Sequence, residues 1–163
     1  MTWVEYAVAG VLALSIAWGL WRGFVREIIS LAGWVLAFLA ANAAAGPLGE
    51  ALPTSISSPE VRVLLAYLVV FVFTLSIATL LGMLLARLLK AAGLGGLDRT
   101  LGGVFGLARG VVFLVAFTIL AGLSSLPRQP AWQASVAAGM LTRTVLQLKP
   151  WLPPRLADRL RYD

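Results

Sequence analysis

The stretch VLLAYLVVFVFTLSIATLLGMLLA, residues 63–86, decides the fold: the 24 residues between Arg62 and Arg87 carry no charge. A hydrocarbon core about 30 Å thick is crossed by about 20 mainly apolar helical residues, so this stretch has the length and chemistry of a membrane span. Working outward, there are 16 uncharged residues between Glu5 and Arg22, 22 between Glu27 and Glu50, and 18 between Arg109 and Arg128. A buried helix of a soluble protein rarely runs so far without a charge, and this chain does so four times. Composition agrees: 60% of the 163 residues are hydrophobic and 12% charged, against about 45–50% and about 25% in soluble domains. The sequence therefore reads as an all-α integral membrane protein. Four transmembrane helices are expected near 3–21, 28–45, 62–87 and 101–123, followed by a C-terminal amphipathic helix.

The connections follow from local chemistry. Met1 to Glu5 holds an acidic residue and no basic one, so the first span is expected to remain as a helix rather than be cleaved as a signal. Trp3, Tyr6, Trp18 and Trp21 stand near its ends, where amphipathic rings anchor at an interface. Only Arg22 to Glu27 separates spans one and two, which forces a hairpin; Arg22 and Arg26, spaced i,i+4, would share a helical face. Gly46-Pro47 is expected to stop the second helix. Ser57 to Glu60 reads as a capping box with Pro59 in the first turn. Gly93, Gly95 and Gly96 read as a break, with Asp98 as N-cap of the fourth helix.

Orientation follows from the basic residues near the span ends. Arg22, Arg26, Arg87, Lys90, Arg99 and Arg109 gather in the loops after spans one and three; Arg62 and Arg128, with Arg143 further off, lie on the other side. The positive-inside rule then places the first and third loops in the cytoplasm and both termini outside. Lys149, Arg155, Arg159 and Arg161 run against that bias, but beyond the roughly 15–20 residues that count most.

The fourth span carries the densest pattern. Gly102, Gly106 and Gly110 recur every fourth residue, a doubled GxxxG that lets another backbone approach closely. Thr74, Ala78, Gly82 and Ala86 form a similar stripe on the third span. Packing inside one bundle is the first reading, a dimer seam or pore lining the alternatives. Arg109 lies 11 residues after Asp98, about 16 Å along a helix, and a charge at the bilayer centre costs about 2.5–3.5 kcal/mol on insertion scales. Two explanations stand side by side: Arg109 snorkels to phosphates at a span boundary, or it pairs with Glu27 or Asp98 in a polar cluster. Substituting Gly106 by Leu should damage folding or assembly.

Two stretches resemble the colicin V production protein (CvpA) family of bacterial inner-membrane proteins. They are Arg22-Gly-Phe-Val-Arg-Glu27 leading into Ile28 to Trp34, and Gly93 to Gly110 with its Asp98-Arg99, Leu101-Gly102, Phe105-Gly106 and Arg109-Gly110 pairs. Trp132 to Ser135 is a weaker third match, and the tail is richer in Arg. The resemblance implies a four-span inner-membrane protein associated with colicin V production or export and with envelope homeostasis. It also implies that Arg22, Arg26, Glu27, Asp98, Arg99 and Arg109 matter, without bringing an agreed biochemical activity.

Residues 1–127 are expected to form the transmembrane domain and 128–163 an amphipathic tail interrupted by Pro150, Pro153 and Pro154. In 131–148, Trp132, Val136, Met140, Leu141, Val145 and Leu148 recur at three or four, as on a helix lying at the bilayer surface or over the bundle. With no Cys and no His there is no thiol chemistry, zinc-finger spacing or Ser-His-Asp triad. The seven carboxylates show no close spacing for acid–base work, and no cofactor, metal or enzymatic activity is expected. Expected partners are anionic lipid headgroups, a second copy of the chain, and export or envelope proteins, but no nucleic acid. An accessory or scaffold protein is the preferred function. An oligomeric channel or transporter is the alternative, motivated by Arg109 and by Asn42, Thr74, Ser76 and Thr79 inside spans.

Overall fold

A computed structural model of the chain describes residues 2–53, 58–151, 153, 160 and 162. Among the described residues six α-helices follow in order: α1 (Trp3–Arg22), α2 (Phe24–Ala51), α3 (Pro59–Ala91), α4 (Gly95–Gly122), α5 (Pro130–Gln133) and α6 (Val136–Leu148). Single 3₁₀ turns occur at Leu126–Arg128 and Lys149–Trp151, and no strand occurs among the described residues. The first four helices are each long and apolar enough to cross a membrane. These four helices are the ones that the charge gaps predict.

Several boundaries differ from the expectation. Helix α2 continues through Gly46-Pro47 to Ala51. Proline inside a helix removes one hydrogen bond and crowds the preceding turn, but packing beyond it holds the helix on. A Cβ built on Gly49 would lie 3.0 Å from Val63 Cα, so α2 touches α3 backbone past the proline. Ser57 lies outside the described residues. The N-cap of α3 is Ser58, whose hydroxyl donates to the Glu60 carboxylate rather than accepting from a backbone N–H.

Helix α3 closes with a Schellman turn. Leu94 N–H donates to Leu89 C=O at 2.9 Å and Gly93 N–H to Lys90 C=O at 3.1 Å, with Gly93 at φ +80°. Gly95 and Gly96 are already helical, so Asp98 sits inside α4 and is not its N-cap. The expected 131–148 helix is divided at Ala134–Ser135, because Ser135 accepts from Ala138 N–H at 3.2 Å and starts α6 anew.

The chain forms two compact units: residues 22–102, and residues 1–21 with 103–163. In the first, α2 lies along α3 on a seam of small side chains that sequence reading missed. Gly33, Ala37, Ala41, Ala45 and Gly49, every fourth residue, are all buried, and a Cβ on Gly33 would stand 2.6 Å from Ala78 Cβ. Small residues let helices approach where no hydrophobic drive exists, since lipid is as apolar as the side chains. Trp34 packs edge-on to Phe71 at 5.5 Å and Phe38 to Tyr67 at 6.5 Å along the same hairpin. Gly33→Leu is expected to overpack this seam and cost about 1–3 kcal/mol, read as a lower midpoint of thermal unfolding in detergent.

In the second unit, Val4, Ala121, Trp132 and Ala138 form a buried cluster. Glu5 ties the tail to α1. Its Oε1 accepts from Val136 N–H at 3.2 Å and its Oε2 from Thr2 N–H at 3.1 Å. The carboxylate thereby caps α6 from 131 residues away, at the helix end that favours negative charge. Near the C-terminus, the Tyr162 hydroxyl donates to Thr118 C=O at 2.8 Å. Gly122 leaves room for that ring, since a Cβ there would stand 2.6 Å from it. Pro154, Arg155, Arg159, Arg161 and Asp163 lie outside the described residues.

Candidate functional site

The 22–27 turn is built around Gly23. Its backbone, at φ 84° and ψ 155°, lies in a region open essentially to glycine. Gly23 is also the N-cap of α2, and a cap without a side chain leaves the first-turn N–H groups to find acceptors elsewhere. Asp98 provides one: Val25 N–H donates to its Oδ1 at 2.9 Å. A Cβ on Gly23 would stand 2.0 Å from Asp98 Oδ2, so glycine is required both by the turn and by the carboxylate.

Asp98 therefore caps α2, 73 residues away, rather than α4, and brings together the two stretches that carry the family resemblance. Asp98→Ala is expected to cost about 1 kcal/mol, as loss of an N-cap does. A thermal unfolding midpoint equal to wild type would contradict the cap.

The positive φ at Gly23 also corrects the expected helical pairing of Arg22 and Arg26. Arg22 ends α1 and Arg26 stands in the first turn of α2, so no single helix presents both. The turn nonetheless brings them to one cavity, shared with Ser30, Thr79, Gly82 and Met83. Glu27 is buried in the first turn of α2, and Arg99 is exposed on α4.

The second cluster joins α1 to the glycine face of α4. The Ser15 hydroxyl donates to Gly106 C=O at 2.6 Å. Arg109 donates to the same serine twice, from Nε to Oγ at 3.3 Å and from Nη2 to the backbone carbonyl at 3.2 Å. Ser15 is thus a partner of Arg109 that neither sequence explanation named. A Cβ on Gly106 would lie 2.3 Å from Ser15 O, and one on Gly110 would lie 3.2 Å from Ser15 Cβ. A Cβ on Gly103 would lie 2.7 Å from a Leu20 methyl. Gly106 and Gly110 of the α4 stripe meet α1, whereas Gly82 and Ala78 of the α3 stripe meet α2. Gly102 is buried as well.

Ser15, Glu5 and Gly33 were missed in the sequence. For Ser15 a signal existed: a polar residue midway along an apolar span usually finds an internal partner. Among the described residues no three carboxylates gather as a metal site requires. A hollow of about 370 Å³ among Trp3, Val8, Phe113, Phe117 and Trp132 is almost wholly apolar.

A family model described as "Colicin V production protein" matches residues 4–145, which takes in all four spans and most of α6. The chain belongs to the colicin V production protein family. A "Colicin V production protein homolog" of Haemophilus influenzae is 38% identical over 113 residues, 69% of each chain. The "Colicin V production protein" of Escherichia coli is 34% identical over 136 residues, 83% of each chain. No solved structure matches. In this member of the colicin V production family, the Val25–Asp98 bond and the Ser15–Arg109 cluster both lie within the matched segment.

Proposed function

We propose that the protein is a non-enzymatic accessory or scaffold of the bacterial inner membrane, serving toxin export and envelope homeostasis. The observation that supports this over a pore is where the polar side chains of the spans direct their protons. Asn42 donates to Phe38 C=O, Ser76 to Val72 C=O and Thr79 to Leu75 C=O, each at 2.8 Å. These groups are satisfied on their own helices and do not need an aqueous path. The names of both relatives speak of colicin V production and not of a reaction.

In this reading the first and third loops face the cytoplasm and both termini lie outside. Arg22, Arg26, Glu27, Asp98, Arg99 and Arg109 form the working motif. Partners are anionic headgroups, a second copy of the chain, and export or envelope proteins.

The test is in-membrane cross-linking of the full chain, with the same protein reconstituted into liposomes. A specific adduct with itself or an envelope protein, without solute flux, is expected. A strictly monomeric protein without adducts, or flux under an ionic or osmotic gradient, would overturn the reading. A reporter fused at Asp163 that is active only in the cytoplasm would reverse the orientation.

A further inference from the structure

At the Arg22 end of the α2–α3 hairpin, a cavity of about 140 Å³ lies between Arg22, Arg26 and Ser30 on one side and Thr79, Gly82 and Met83 on the other. That is far above the ~10–15 Å³ that one water needs. Gly82 brings the walls together: a Cβ there would meet Ile29 Cγ2 at 3.4 Å and Arg26 Cα at 3.8 Å. The Nε of Arg26 is buried and has no hydrogen-bond partner among the described residues. A buried guanidinium N–H left without an acceptor is costly, and more so than a neutral donor.

The lining groups specify what the cavity would take. Two guanidiniums offer forked donors that match a phosphate or carboxylate oxyanion. Thr79 already gives its proton to Leu75 C=O. The other lining residues that carry side-chain donors are Arg22, Arg26 and Ser30.

Depth also fits a lipid source. Gly82 lies five residues before Arg87, which closes the uncharged stretch, so the cavity is about 7–8 Å inside that residue. Headgroup regions add roughly 5–8 Å to each side of the hydrocarbon core, which puts the cavity near the level where phosphates meet acyl chains.

We propose that this cavity is a phosphate-oxyanion site. Arg22, Arg26 and Ser30 hold the phosphate group of an anionic phospholipid, or free phosphate, between α2 and α3. The site deepens the anionic-headgroup part of the proposed function and rests on that part alone, not on the scaffold role.

The experiment is native mass spectrometry of the full chain in neutral detergent. It is titrated separately with short-chain phosphatidylglycerol, short-chain phosphatidylcholine and inorganic phosphate. One phosphatidylglycerol per chain is expected to be retained, and Arg26→Gln to weaken it at least ten-fold. Ser30→Leu, which fills the cavity and leaves every charge in place, is expected to weaken it similarly and guards against an Arg26 variant that does not fold.

The double variant Arg87→Gln/Lys90→Gln, with two charges removed outside the cavity, should bind as wild type. Phosphate binding with the same residue dependence supports the site with free phosphate as its source. Retention of phosphatidylglycerol that falls equally in the Arg87/Lys90 double variant, or is unmoved by Ser30→Leu, overturns the site while leaving general headgroup attraction standing. No preference for phosphatidylglycerol over phosphatidylcholine, together with no phosphate binding, overturns both.

Discussion

Gly106→Leu is expected to remove folded protein from the membrane, with a loss of about 3 kcal/mol or more, at the top of the range for overpacked sites. The reason is that the neighbour cannot yield. A Cβ at position 106 would stand 2.3 Å from Ser15 O and 3.0 Å from Ser15 C, which are backbone atoms in the middle of α1. Separating the helices would also break the 2.6 Å bond from Ser15 Oγ to Gly106 C=O and the two bonds that tie Arg109 to Ser15. Even Gly106→Ala should destabilise.

An internal control sharpens the expectation. Gly46 is also helical, in α2, and a Cβ there meets nothing within 4 Å. Gly46→Ala should therefore stabilise by roughly 0.5–1 kcal/mol through helix propensity alone. Thermal unfolding in detergent, with protein levels in membranes, reads both. Equal shifts at the two glycines would mean that no backbone contact exists at Gly106.

Gly23→Ala is expected to cost about 2–4 kcal/mol. The backbone region at φ 84° and ψ 155° costs a non-glycine residue about 1–3 kcal/mol, and displacing Asp98 sacrifices a helix cap worth about 1 kcal/mol more. These two contributions separate in a double-mutant cycle. With Asp98→Ala in place the clash is gone and only the backbone strain remains, so Gly23→Ala should then cost about 1 kcal/mol less. Strict additivity of the two variants would show that the carboxylate does not press on Gly23.

The spans were legible because each is a local property. A charge or an unpaired backbone group is expensive in hydrocarbon wherever the rest of the chain lies, so the gaps between charges mark the helices. The ends were less legible, since packing overrides local stop signals: Gly49 against Val63 carries α2 past Pro47. Ser135 behaves in the opposite way, its hydroxyl ending one helix and starting another inside a continuous amphipathic pattern. Of the candidate site, the residues were visible as a motif, but their roles were not. Asp98 reads as the cap of the helix that contains it, and Arg22 and Arg26 read as neighbours on one helix face.

By itself, then, the sequence determined that this chain lives in a membrane, how many times it crosses, and which polar and glycine positions interrupt the apolar text. Tertiary structure alone decided what each interruption meets: Gly106 meets Ser15, Gly33 meets Ala78, and Gly23 and Val25 meet Asp98. The physical reason is that burial in lipid is summed residue by residue along one helix. A close backbone approach or a carboxylate cap instead needs two segments, here 73 to 94 residues apart for the cap at Asp98 and the bonds at Ser15, and exists only once both are in place.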